Sequence, residues 1–335
     1  MTRRERVLKA IRHETTDYVP YSISFTKQAY EKTKNYLKDE NFFEKIGNHI
    51  VFIEHAPFEE IKPEYFRDEF GVVWNRTGVD KDIGVIDNSL IPEPDISLYE
   101  FPEPDEAGIR NLIESYLKKK EDVAVFFGIG FSMFERAWSL CGMENLLVYM
   151  KTDPDFVHAL MERICEYNLK KIDIACQYDI DGVHFGDDWG QQHGLIMGPQ
   201  CWHEFIRPRM KRMYKRVKDH GLLVSQHSCG DISELFPALI EIGLDIYQTF
   251  QPEIYDIREI KEKYGDKLCF WGGISTQRLL PFESPEVVAE TTKRTIEIMG
   301  KGGGYIAAPT HAIPGDVPPE NIVAMINAMA PEKIF

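Results

Sequence analysis

A chain of 335 residues, 43% hydrophobic and 12% aromatic, has material for one large α/β domain or two ordinary ones. Its 39 basic against 54 acidic side chains leave a formal charge of -15, which opposes an extended nucleic-acid or anionic-membrane surface. No run approaches the roughly 18 apolar residues of a membrane span, the N-terminus MTRRERVLKAIRHE lacks an apolar signal core, and six scattered cysteines do not make a disulfide framework, so a cytoplasmic protein with reduced thiols is expected.

The chain opens on an amphipathic helix over residues 2–12, with Val7, Leu8 and Ile11 on one face, placed to cover one end of a core. VPYSISF (19–25) reads as a first strand, a helical segment with Ala29 and Tyr36 follows, and HIVFIE (49–54) reads as a second strand ending in Glu54 and His55. Residues from about 58 to 104 differ in character. There EFGVVWNRTG (69–78) looks like a strand entering a turn, and IPEPDISLYEFPEPDEAG (91–108) is rich in proline and acid. This stretch is expected to be a surface excursion of a single domain spanning 1–335.

From Asp105 the pattern becomes regular. A helix to about Lys120 leads to VAVFFGIG (123–130), helices to about Tyr178 lead to GVHFGDD (182–188), and a helix over 199–219 leads to LLVSQHS (222–228). A helix over 231–242, LDIYQTF (244–250), a helix over 256–264, KLCFWGGI (267–274), a helix over 285–299, GGYIAAPTH (303–311) and a last helix from Pro319 to about Met329 complete the alternation. Short apolar strands alternating with helices predict a parallel sheet buried on both faces. Eight such units predict an α/β fold of the (β/α)8 TIM barrel kind, and the nucleotide fingerprint of a doubly wound sheet is missing.

A barrel of this kind should collect reactive side chains at the C-terminal ends of its strands. Those ends carry Glu54 and His55, Asp187 and Asp188, His227 and Cys229, Gln248 and Gln251, Gly272 and Gly273, and Thr310 and His311. His227 and Cys229, two residues apart just past an apolar run, offer an imidazole and a thiol to a borderline-soft cation such as zinc. A third ligand must come from another strand end, and His311 is placed to supply it. Cys269 is a softer alternative, but its apolar neighbours suit the core. Adjacent Asp187 and Asp188 point to opposite sides if the strand persists, so one is expected to serve the site, as ligand, orienting partner or acid-base group, and the other the structure. Asp231 reads as the cap of the helix that follows.

Several motifs together resemble the uroporphyrinogen decarboxylase superfamily, and within it the cobamide-dependent methyltransferases: RRERVLKAIRHETTDYVP at the start, GDDWG, HSCGDI, CFWGGIST, and PGDVPPENI near the end. The resemblance implies a distorted (β/α)8 barrel. Porphyrin decarboxylases hold substrate carboxylates with an arginine-rich N-terminal motif, whereas this chain reads YSISFTKQAY there, with no arginine. The methyltransferases bind zinc through H-x-C plus a distant cysteine, and at that distant position this chain has His311. The departure leaves two outcomes open. One is zinc held by His227, Cys229 and His311; the other is a metal-free site whose proton chemistry rests on Asp187, Asp188 and His311. The resemblance implies methyl transfer from a small donor, such as a methoxylated aromatic compound, to the cobalt of a corrinoid carried by a partner protein, because no D-x-H-x-x-G cobalamin signature is present. Trp189, Gln248, Phe250 and Trp271 are expected to surround the substrate. A metal-free lyase of a small carboxylated substrate and a non-catalytic barrel stand as alternatives, the reverse direction of transfer stays open, and so does a homodimer.

Overall fold

A computed structural model describes residues 1–78, 83–119 and 122–335. Seven parallel strands form one sheet: β1 (Ile50–Glu54), β2 (Ala124–Ile129), β3 (Gly182–Gly186), β4 (Leu223–His227), β5 (Ile246–Phe250), β6 (Cys269–Ile274) and β7 (Tyr305–Pro309), hydrogen-bonded to one another in chain order. Every residue of β2, β6 and β7 is buried, as expected where helices cover the outside and the sheet curls over its own interior. The helix before β2 spans Glu106–Leu117; Lys120, where it was expected to end, lies outside the described residues.

The expected first strand, 19–25, does not form one. Its backbone makes two isolated bridges, Tyr21 with Ala307 of β7 and Phe25 with Ile313 beyond the end of β7, and Pro20 can only accept, taking the Ala307 N–H at 2.9 Å. Toward β1 the seam is thinner. One backbone bond, His49 N–H to Tyr21 C=O at 3.1 Å, is supplemented by the Asn48 side chain, which accepts from Ile23 N–H at 2.8 Å and donates to Ile23 C=O at 2.9 Å. The parallel ring is therefore seven strands plus one loosely bridged segment, with β1 at an edge of the sheet.

The helix Arg3–Ile11 starts at a capping box in which Thr2 and Glu5 each satisfy the other's backbone N–H. Its Val7 and Ile11 close the floor of the ring against Ile50, Ala124, Phe126, Ile246, Cys269, Trp271, Ile306 and Ala308. Alternation along the strands puts these residues inside and their neighbours against the helices. Cys269 is thus a core residue, and burial pushes its thiol far above the usual cysteine range.

The excursion builds a second sheet of four short antiparallel strands, Phe58–Lys62, Tyr65–Asp68, Val73–Asn75 and Val85–Ile86. Phe70, Val72, Trp74 and Ile91 belong to the same buried cluster as the outer face of the ring, and each such side chain is worth about 1.5–3 kcal/mol on burial. A buried pair, Asp68 with Arg136 at 2.7 Å, ties this sheet to the helix Phe134–Cys141 that follows β2. Asp231 does not cap a long helix. It accepts the Ser233 N–H at 3.0 Å, a short 3-10 turn intervenes, and the helix runs only from Phe236 to Glu241. Among the described residues no helix is long and apolar enough to cross a membrane.

Candidate metal centre

Along β3 and beyond it, His184, Gly186 and Asp188 share one side of the strand, and Asp187 takes the other. The two carboxylates diverge accordingly. Asp187 is fully buried and accepts the N–H groups of Phe134 at 2.9 Å and Glu135 at 2.8 Å and the Trp189 indole N–H at 2.5 Å. It fastens the start of the helix after β2 and leaves no oxygen face turned to a substrate. Burial, offset in part by those N–H groups, pushes its carboxyl up to about 6.

Asp188 sits at the mouth of the ring, half-buried, with Oδ1 accepting the Cys229 N–H at 2.7 Å and lying 3.4 Å from His227 Nε2. Cys229 Sγ lies 3.5 Å from the same Nε2. One ligand atom from each of Asp188, His227 and Cys229 falls within 4.8 Å of the others. His227 ends β4 pointing inward, and its Nδ1 donates to Gln248 Oε1 on β5. That bond assigns the proton to Nδ1 and turns the Nε2 lone pair toward Cys229 and Asp188, the arrangement in which a metal-ligating imidazole is held.

The charges are strongly coupled. Burial pushes the His227 imidazole down, but the Cys229 sulfur and the Asp188 carboxylate overcome it and hold the ring well above the usual histidine value. Burial raises the Asp188 carboxyl, yet its bond to His227 wins and leaves it below the usual carboxylate range.

The loops that present these groups are pinned. Ser228 N–H donates to Gln248 C=O at 2.8 Å, Tyr247 OH donates to Ser228 C=O at 3.0 Å, and Tyr255 OH donates to Gly230 C=O at 2.8 Å. Gln251 Oε1 accepts the Gly230 N–H at 2.9 Å, and Trp189 N–H donates to Ser228 Oγ at 3.0 Å. Gly230, at φ +78°, presses so closely on Gly190 that a Cβ would meet its carbonyl carbon at 2.2 Å. Only glycine combines that backbone with that contact, and the pair locks the Asp188 loop onto the Cys229 loop.

Other expected residues are distributed differently. His311 is exposed; its ring faces that of His227 across 6.1 Å and is not part of the gathered trio, in which Asp188 takes the third place. Trp189 does not line the mouth: fully buried, it packs edge-on against Trp202 and is committed to Asp187. Phe250 also faces away, stacked on Tyr255 at 5.4 Å in the outer core, because the register between β5 and β6 shifts after Gln248. Gln248 and Trp271 do face the interior, and Trp271 stacks flat on Phe52 at 5.2 Å.

Two residues near the trio escaped the sequence reading. Burial, then the charges of Asp188 and Asp187, push the Glu135 carboxyl up to about 8. His184, one layer below His227 with ring centroids 6.4 Å apart, is bonded to Ser225 Oγ at 2.8 Å, and burial drives it down to about 3, so it is neutral. His184 was legible by period-two spacing from Asp188. Glu135 was not, since it comes from a helix start after β2 that only the fold brings to the mouth.

A parallel ring of strands whose C-terminal mouth gathers a carboxylate, an imidazole and a thiol is thus the framework. Residues 2–331 match the uroporphyrinogen decarboxylase (URO-D) family, and the chain belongs to it. It is 23% identical over 195 residues to a methylated-thiol--coenzyme M methyltransferase of Methanosarcina mazei, covering 58% of this chain and 50% of that protein. To a uroporphyrinogen decarboxylase of Nitratiruptor sp. it is 28% identical over 245 residues, covering 67% of this chain and 65% of that protein. The chain therefore spans between half and two thirds of the length of these curated relatives. A solved methyltransferase from Methanosarcina mazei has the same fold, with a TM-score of 0.71 at 16% identity and 98% of both chains covered.

Proposed function

We propose that this chain is a methyltransferase that moves a methyl group from a small donor, a methoxylated aromatic compound, to the cobalt of a corrinoid protein, with zinc held by Asp188, His227 and Cys229. The observation that carries the reading is the Nε2 of His227, aimed by Gln248 at a sulfur and a carboxylate oxygen within 4.8 Å. Were zinc bound there, Asp188, His227 and Cys229 would hold it through one oxygen, one nitrogen and one sulfur, and a donor atom could join them. Bound there, zinc supplies a Lewis acid for the negative charge that develops on the leaving oxygen.

The chain's own residues do the rest. Gln248 fixes the imidazole's tautomer, and the Asp188 oxygen bonded to Cys229 N–H fixes the spacing of the two loops. The reaction breaks the donor's O–CH3 bond, leaves both electrons on oxygen, and forms a carbon–cobalt bond with the electron pair of the acceptor's Co(I), formally oxidised to Co(III). His311, across the mouth from His227, returns a proton to the phenolate. Gln248 and Trp271 contact the donor from inside the ring.

The name of the Methanosarcina relative favours a methylated thiol as a second class of donor. The decarboxylases among the relatives favour a metal-independent carboxy-lyase as a second reading. All are separated by mixing zinc-loaded protein, reduced corrinoid protein and a panel of methoxylated aromatics and methylated thiols while following methyl-cobalt absorbance. Methylation that a chelator abolishes and zinc restores is expected. Silence with every donor, or decarboxylation that ignores chelators, refutes the proposal.

A further inference from the structure

Phe52 is an inward-facing residue of β1, yet it is 41% exposed, unlike the other inward-facing aromatics Phe126 and Trp271. The cause is the seam described above. Beyond the Asn48 and His49 contacts with Tyr21 and Ile23, the small side chains of Ser22 and Ser24 stand opposite β1. A cavity of about 720 Å³ passes there through the wall of the ring, lined by Ser22, Ser24, Phe52, Gln248 and Trp271 among others. At its inner end Gln248 holds His227, and the Phe52 ring, stacked on Trp271, lies 4.6 Å from His184. The volume is that of a small-molecule site, and the lining of aromatic faces with a few polar groups is the usual composition of one.

We propose that this lateral breach binds the aromatic body of the methyl donor, leaving the mouth above the trio free for the acceptor protein. The inference rests on the methyl-transfer reading for its orientation. In an in-line displacement the leaving oxygen and the incoming cobalt stand on opposite sides of the methyl carbon, so a donor lying between the metal and the mouth would hold its ring where the acceptor must approach. A ring seated beside Phe52 and Trp271, below the His227 layer, presents its oxygen to the trio from beneath and its methyl group upward. Donor and product then exchange through the wall while the acceptor covers the mouth.

The test uses the full chain and 2-methoxyphenol as probe. Titration calorimetry should detect binding to the wild-type protein, and Ser24→Trp, which fills the passage from the seam side, should weaken it by about tenfold or more. Ser24→Leu, a smaller plug, should give an intermediate loss, and thermal melting establishes that both variants fold. His227→Ala should keep ring binding within a few fold. A folded Ser24→Trp that binds the probe as the wild type does, a loss confined to His227→Ala, or no binding by the wild type overturns the proposal. Binding through the breach without methyl transfer to any corrinoid protein refutes the methyltransferase reading and leaves the site standing. Methyl transfer by Ser24→Trp with unchanged KM does the reverse.

Discussion

The adjacent pair Asp187 and Asp188 allows a double dissociation between stability and metal binding. In Asp187→Ala, three buried donors lose their acceptor: Phe134 N–H, Glu135 N–H and the Trp189 indole N–H. Each buried unsatisfied donor costs about 1–3 kcal/mol, and partial relaxation of the helix start brings the sum to about 3–5 kcal/mol. Against a total stability of about 5–15 kcal/mol this is a large fraction. Asp188→Ala removes one half-buried carboxylate and its bond to Cys229 N–H, for about 1 kcal/mol. Urea denaturation followed by tryptophan fluorescence reads the first quantity, and elemental analysis after zinc loading reads the second. Asp187→Asn, which keeps one acceptor oxygen, should fall between wild type and Asp187→Ala in midpoint and retain zinc. Asp188→Ala should keep a near-native midpoint and lose zinc. The reverse pattern, with Asp187→Ala stable and metal-free and Asp188→Ala unstable and zinc-bound, refutes the assignment of roles.

Cys229→Ser and His227→Ala should each abolish stoichiometric zinc, whereas His311→Ala, outside the trio, should keep it and lower the rate of methyl transfer. Because neighbouring negative charge makes His227 hold its proton unusually tightly, zinc must displace that proton, so zinc affinity should fall as pH drops, with proton release on binding measurable in weakly buffered solution. Glu135 carries its proton up to about 8 in the folded chain against an ordinary value of 4.5, so the native state binds more protons than the unfolded one over that interval. Stability of the zinc-free protein should therefore decline as pH rises through it, and Glu135→Gln should flatten the decline in urea midpoint.

The order of the seven strands, the floor helix and the closeness of His227 to Cys229 were legible because each follows from local periodicity, apolar runs and period-two alternation. The seam between residues 19–25 and β1 was not. VPYSISF is otherwise as strand-like as its neighbours; Pro20 was visible in it, but the substitution of Asn48 for backbone pairing, a tertiary matter, was not, and together they leave it loosely bridged. The same limit explains the misplaced aromatics. Trp189 and Phe250 stand at strand ends, as Trp271 does near one, but a buried carboxylate claims the first and a shifted register turns the second outward. His311 was expected from the sequence as the third ligand, with one of the two aspartates serving the site in some role; the trio instead takes Asp188, because the helix start after β2 consumes Asp187.

Zinc K-edge absorption of the loaded protein tests the central claim most directly. Coordination by Asp188, His227 and Cys229 predicts a single sulfur at about 2.3 Å with nitrogen and oxygen at about 2.0–2.2 Å, and loss of the sulfur shell in Cys229→Ser. Two sulfurs, none, or a sulfur shell that survives that substitution contradicts it.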